Sequence, residues 1–223
     1  MTDVIIHSDN PGMVFVGRKL GVDKMYSYIQ NFGFGNLTQI DLQDESSPDI
    51  RPKNDWKEID LATASFGQGI AATPIQVVRA VATIANGGYL MEPHIVQSIQ
   101  ENDKTTIIKP KVVGHPINEE TAKKVTQMMV EAVEKGEAKV FAIKGFKIAG
   151  KTGTAQIPVA GHYDPNKTIA SFVGFAPAED PKFVMLVRYA EPSSSIFGAE
   201  TAAPTFFAIA KELLMYYNVA PSE

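Results

Sequence analysis

Three β-rich segments crowd the last third of the chain, at residues 146–157, 168–175 and 183–189, with turn-rich connections at 158–165 and 178–181. Both connections are too short for a parallel crossover, which needs a dozen or more residues, so the three segments must pair as antiparallel hairpins. That requirement limits the fold more than anything else in the sequence. What precedes the strands is helical. Residues 11–32 carry Met13, Val16 and Leu20 near helical spacing behind Pro11, and a second apolar set (Met25, Tyr28, Ile29, Phe32) follows Gly21. Residues 33–57, punctuated by Gly35, Asn36, Pro48, Pro52 and Asn54, read as a long loop.

Two further helices have strong start signals. Thr73, Pro74 and Gln76 form a capping box with proline in the first turn, and the apolar set Val77, Val78, Val81 and Ile84 runs on to Gly87 and Gly88. Asn118 caps a helix over 118–135, whose first turn holds Glu119 and Glu120 and which Gly136 ends. Its buried stripe is Val125, Met128, Met129, Ala132 and Val133, with the methionines read as core. A closing helix spans 203–217 through Phe206, Phe207, Ile209, Leu213 and Leu214. Helices followed by an antiparallel sheet and a packing helix make a layered domain. The chain's 223 residues suffice for one such domain, and 44% hydrophobic with 21% charged residues excludes wholesale disorder.

Composition removes several functions. There is no cysteine, so disulfides, thiolate catalysis and cysteine–metal sites are out. A net charge of −4 gives no electrostatic case for nucleic acid. His7, His94, His115 and His162 have no ligand spacing, and no metal or other cofactor is expected. No apolar run approaches the length that spans a bilayer.

The chemistry is concentrated in two tripeptides. Ser8, Asp9 and Asn10 precede the first helix, and Lys151, Thr152 and Gly153, followed by Thr154, lie inside the first strand. S-D-N and K-T-G are two of three marks of serine acyl-transfer sites, the third being S-x-x-K. That third mark is missing. Three positions after Ser27, Ser65, Ser98 and Ser171 stand Gln30, Gln68, Glu101 and Gly174, and no other serine fits either. Alternation along the strand puts Lys151 and Gly153 on one face and Thr152 and Thr154 on the other. A glycine inside a strand points to a close backbone approach, such as an extended peptide adding to a sheet edge. The lysine and the hydroxyls offer a cation and donors for a carboxylate, and an N–H beyond Gly153 can serve an oxyanion hole. Without support from the rest of the chain, either tripeptide reads as an ordinary turn or strand end. His162 and Tyr163, in the following loop, are placed at the border of the groove.

Other segments supply that support. NFGFG at 31–35, ASFGQGI at 64–70, TPIQ at 73–76, IANGG at 84–88 with Pro93 and His94, AGKTGTAQ at 149–156, SFVGFAP at 171–177 and APTF at 203–206 come in one order. With these, the chain resembles, over nearly its whole length, the transpeptidase domain of class B penicillin-binding proteins of the division and sporulation type. The resemblance implies a mixed α/β fold of the multidomain type, the serine β-lactamase/transpeptidase-like fold. This is an antiparallel sheet with flanking helices, here without its N-terminal part, so that residues 1–223 form the C-terminal part of one transpeptidase domain.

The implied activity is serine D,D-transpeptidation of peptidoglycan stem peptides, with a nucleophile upstream of Ser8, so that this chain alone would be inactive. Ser8 would relay a proton to the leaving amine and Asn10 would orient the substrate amide. Lys151 would hold the proton network and attract the substrate carboxylate. Thr152 and Thr154 would bind that carboxylate beside Gly153, and the Thr154 N–H would form half of an oxyanion hole. Asp9 departs from the small or hydroxylated residue usual in the family. β-Lactams, a SEDS-type glycosyltransferase and division proteins are the implied partners. The implied location is the cell membrane, through an anchor outside this sequence, with the catalytic domain extracytoplasmic. Two alternatives stay open. A class A-like β-lactamase would use Glu45 to activate water, although 45–49 (ESSPD) lacks the expected asparagine. A non-catalytic peptidoglycan-binding or sensor module would account for the missing S-x-x-K.

Overall fold

The structure, a computed structural model, describes residues 1–159 and 162–222. In chain order its elements are α1 (Thr2–Ile6), α2 (Asn10–Leu20), α3 (Val22–Asn31), α4 (Glu58–Ser65) and α5 (Pro74–Ala85). The short strands β1 (Leu90–Glu92), β2 (Ser98–Glu101), β3 (Lys104–Ile107) and β4 (Lys111–Gly114) come next. Then follow α6 (Glu119–Lys135), β5 (Ala149–Val159), β6 (His162–Ala176), β7 (Phe183–Ala190) and α7 (Ala202–Tyr216).

The three late strands form one antiparallel sheet in the order β5-β6-β7, as the short connections require. The first hairpin is longer than its sequence suggests. Pairing continues through Pro158↔Tyr163 to Val159↔His162, so the expected loop at 158–165 is mostly strand. Proline lacks a donor and reads as a strand breaker, but it is tolerated where the ladder is irregular, and the register shifts between Gln156 and Pro158.

Side chains on β6 alternate between two cores. Phe172 and Ala176 face a cluster with Ala203, Phe206, Phe207, Ala210 and Leu214 of α7, together with Val133 and Ile148. The Phe172 and Phe206 ring centroids lie 4.5 Å apart. Phe175 points the other way, against Ala149 and against Met129 and Val130 of α6, with Val81 and Ile84 of α5 alongside. Phe172, Phe175 and Phe206 are wholly buried. Each such side chain stabilises the fold by roughly 1.5–3 kcal/mol. The sheet is thus sandwiched between α7 on one face and α5–α6 on the other.

The helices mostly start as the sequence indicates. Thr73 Oγ1 accepts from Gln76 N–H while Gln76 Oε1 accepts from Thr73 N–H, and Asn118 Oδ1 accepts from Thr121 N–H at 2.8 Å. The helical stretch 11–32 breaks in two at Gly21, whose φ of +80° only glycine adopts freely. On α5 the expected apolar stripe is only partly buried, and the buried positions are Gln76, Arg79, Ala80 and Thr83. The polar ones hold the long loop: Gln76 Nε2 donates to Asn36 O at 2.8 Å and to Ser47 Oγ at 2.9 Å, and Arg79 Nη1 donates to Thr38 O at 3.2 Å. On α6, Val130 joins the buried set and Met128 is only half-buried. Strands β2 and β3 are exposed throughout, so no alternation marks them in the sequence.

Candidate active site

Ser8 sits where α1 ends. Asp9 N–H donates to Val4 O at 3.0 Å, and Ser8 takes the left-handed conformation (φ +50°) that often follows a helix. A side chain at such an angle is uncommon outside Gly, Asn and Asp, and here it carries the hydroxyl toward β5. The next helix starts at Asn10, with Pro11 in its first turn. From the other end of the chain, β5 is an edge strand: it pairs with β6 and, among the described residues, with nothing on its other side. Lys151 Nζ donates to Ser8 Oγ across this gap, in a short hydrogen bond between residues 143 positions apart.

The ammonium also donates to Thr152 Oγ1 at 3.0 Å and to Thr152 O at 3.2 Å. Alternation assigns Lys151 and Thr152 to opposite faces. Both nonetheless line the same cavity, because the long lysine stem turns its head back to the Thr152 hydroxyl. Burial pushes the Lys151 ammonium below its ordinary value, and the charge of Glu137 pulls it part of the way back up. Burial thus eases release of the Lys151 proton, which suits proton exchange with the Ser8 hydroxyl.

Ser8, Asn10, Lys151, Thr152, Gly153 and Thr154 all line one cavity of about 780 Å³. The six expected site residues therefore converge from the α1–α2 turn, α2 and β5. Asp9 is exposed and outside that lining. The lining also includes residues with no catalytic signature in the sequence, among them Glu137, Phe197 and Glu200. Ser65 and Phe66 bring the 64–70 segment to the cavity as well.

A Cβ on Gly153 would meet the Ser171 hydroxyl at 2.6 Å, a side chain rather than a second backbone, and the close backbone approach in this place is that of Gly198. Gly198, in the turn before α7, packs on β5 and β6: a Cβ there would lie 2.5 Å from Gly153 O and closer still to Ser171 O. Its N–H donates to Thr154 Oγ1 at 3.1 Å. Thr201 Oγ1 donates to Phe197 O at 2.8 Å and Thr168 Oγ1 to Ile196 O at 2.8 Å, so the turn is pinned at both ends.

One expectation is corrected, and one alternative loses the residue it needs. Tyr163 lines a different cavity, with Gln156, Ile169 and Arg188, because the extended hairpin carries it beyond the Ser8–Lys151 groove; the side chain of His162 lies outside the described residues. Glu45 does not line the Ser8–Lys151 cavity. Its carboxylate instead accepts from the N–H and hydroxyl of Thr38, each at 2.6 Å, and from Gln39 N–H at 2.9 Å. Burial raises its proton affinity, but these hydrogen bonds outweigh that and hold the carboxyl below the ordinary glutamate value.

Comparison with known proteins identifies the family. The penicillin binding protein transpeptidase domain family matches residues 1–213. Stage V sporulation protein D of Bacillus subtilis is 39% identical over 98% of this chain and 34% of its own length. Peptidoglycan D,D-transpeptidase FtsI of Buchnera aphidicola is 33% identical over 99% of this chain and 38% of its own length. The chain thus spans about a third of each of these relatives. Among solved structures, penicillin binding protein 3 of Mycobacterium tuberculosis in complex with ampicillin superposes with a TM-score of 0.92 at 29% identity, over 100% of this chain and 52% of that one. With both tripeptides meeting in one cavity and this likeness running from end to end, the chain belongs to the transpeptidase domain family of class B penicillin-binding proteins.

Proposed function

We propose that this chain supplies the proton-relay and carboxylate-binding half of a peptidoglycan D,D-transpeptidase site, and that the acylated serine and its lysine come from a segment outside the sequence. The carrying observation is the Lys151–Ser8 hydrogen bond at the edge of β5. It joins a lysine whose proton burial makes easier to release to a hydroxyl positioned for proton transfer, beside a strand edge able to take an extended peptide.

In this reading the serine attacks the penultimate carbonyl of a stem ending in D-Ala-D-Ala. The C–N bond breaks, Ser8 delivers the proton that leaves with D-alanine, and the amine of a second stem later resolves the acyl-enzyme. Lys151 keeps Ser8 in the relay and attracts the terminal carboxylate, and Thr152 and Thr154 border its place next to Gly153. Asn10 orients the substrate amide, and the Thr154 N–H is half the oxyanion hole. β-Lactams are the corresponding acylating analogues, supported by the ampicillin complex of the structural relative. The setting that goes with this chemistry is a membrane-anchored protein with its catalytic domain facing the cell wall, working with a SEDS-type glycosyltransferase and division proteins. The engaged carboxylate of Glu45 speaks against a β-lactamase, which needs that group at the acyl-enzyme.

Fluorescent penicillin labelling of the full-length protein tests the proposal. Wild type should label and Lys151→Ala should label at least about 100-fold more slowly, the usual scale for a lost acid–base group. The 223-residue chain alone should not label. An unlabelled full-length wild type, or labelling of a serine within this sequence, would overturn the assignment.

A further inference from the structure

Glu137 is an acidic side chain tied by hydrogen bond to the K-T-G strand. It stands between Gly136, which ends α6, and Ala138, which is buried in the α7 core. Its backbone is therefore anchored while its side chain is exposed at the mouth of the Ser8–Lys151 cavity. Glu137 Oε2 accepts the hydroxyl proton of Thr152 at 2.8 Å, and that same hydroxyl accepts from Lys151 Nζ.

A threonine hydroxyl has one proton. Committed to Glu137, it has none for a ligand. Thr154 differs: its oxygen accepts from Gly198 N–H, and among the described residues its proton has no acceptor. One of the two hydroxyls at the carboxylate subsite is free to donate and the other is occupied. Glu137 also sets a negative charge beside Lys151, the cation that would attract a ligand carboxylate.

We propose that Glu137 acts as an internal carboxylate occupying the subsite of the acyl donor's own carboxylate, so that carboxylate-bearing ligands must displace it before they bind. This rests on the acyl-transfer reading above. Glu137 touches no reacting atom; it is a specificity-determining residue, acting through Thr152 and Lys151. Being exposed, it can swing into solvent at the cost of one charge-assisted hydrogen bond, so it weakens binding without closing the site.

The test uses the full-length protein and two acylating ligands, benzylpenicillin and its methyl ester, each in competition with fluorescent penicillin. For the free acid, Glu137→Ala should raise the second-order acylation rate about three- to tenfold, the range for one partly screened like charge and one released donor. The gain should lie in the binding constant rather than in the acylation step. Glu137→Asp, which keeps the charge, should stay within about twofold of wild type. For the methyl ester, which has no carboxylate to repel, all three proteins should react within about twofold of one another. An unchanged rate with the acid, a slower Glu137→Ala, or an equal rise with both ligands would overturn the proposal. A wild type that neither ligand acylates would refute the acyl-transfer reading itself, and the inference with it.

Discussion

Gly198→Ala is the sharpest test of how the fold builds its site, because one methyl group strikes two strands at once. The added carbon would sit 2.5 Å from Gly153 O, closer still to Ser171 O, and 3.1 Å from Ser171 N. All three atoms belong to the backbone of the β5–β6 ladder, where Gly153 pairs with Ser171, so none can rotate away. The turn must lift instead, and it is held by the Thr168 and Thr201 hydroxyls. Overpacking of this kind costs about 1–3 kcal/mol. For a domain of this size that is a fall of roughly 2–12 °C in melting temperature. Lifting the turn also removes the Gly198 N–H from Thr154 Oγ1, so penicillin labelling of the full-length protein should fall together with stability. Gly114→Ala is the control: its nearest contact would be Leu90 Cβ at 3.5 Å, an ordinary distance, and its effect should stay within about 0.5 kcal/mol. Differential scanning calorimetry with parallel labelling decides the matter. A Gly198→Ala protein as stable as the control and equally labelled would refute the packing argument.

Two further expectations concern stability and pH. Glu45→Ala leaves the N–H and hydroxyl of Thr38, a residue only 1% exposed, without their acceptor, which should cost about 1–3 kcal/mol by chemical denaturation. The Glu45 carboxyl is lowered in the fold from 4.5, so its contribution is present above that value and lost as pH falls through the folded pKa; the variant should lack this part of the acid limb. Lys151 is lowered from 10.5, chiefly by burial, so the unfolded chain binds more protons between the folded pKa and 10.5 and stability rises with pH across that window. Lys151→Met should abolish that rise, and denaturation curves with the same pH slope for both proteins would contradict the assignment.

Local signals in the sequence were enough for the elements that depend on local chemistry. The capping box at Thr73 and the N-cap at Asn118 start helices because their hydrogen bonds close within one turn. The short connections by themselves require the late strands to be antiparallel. Motif spelling drew attention to Ser8, Asn10 and Lys151 to Thr154, and order along the chain pointed to the family. Periodicity failed where a side chain's role comes from a distant partner. The polar face of α5 is buried because Gln76 and Arg79 satisfy the backbone of a loop some forty positions upstream in the sequence. The exposed hairpin of β2 and β3 buries neither face and so leaves no alternation to read.

The site itself was decided by tertiary structure. The sequence identified Lys151 as a candidate, but only the packing of α1 against α6 and of α6 against β5 brings Ser8 within hydrogen-bonding reach of it. Glu137 has no motif and follows a helix-ending glycine like any surface residue, yet the fold aims it at Thr152. Gly198 likewise gave no sign that β5 and β6 leave no room for its side chain. The physical reason is the same in each case. Covalent neighbours fix backbone conformation within a few residues, whereas hydrogen bonds, charge and steric exclusion act through space, between groups that the sequence keeps far apart.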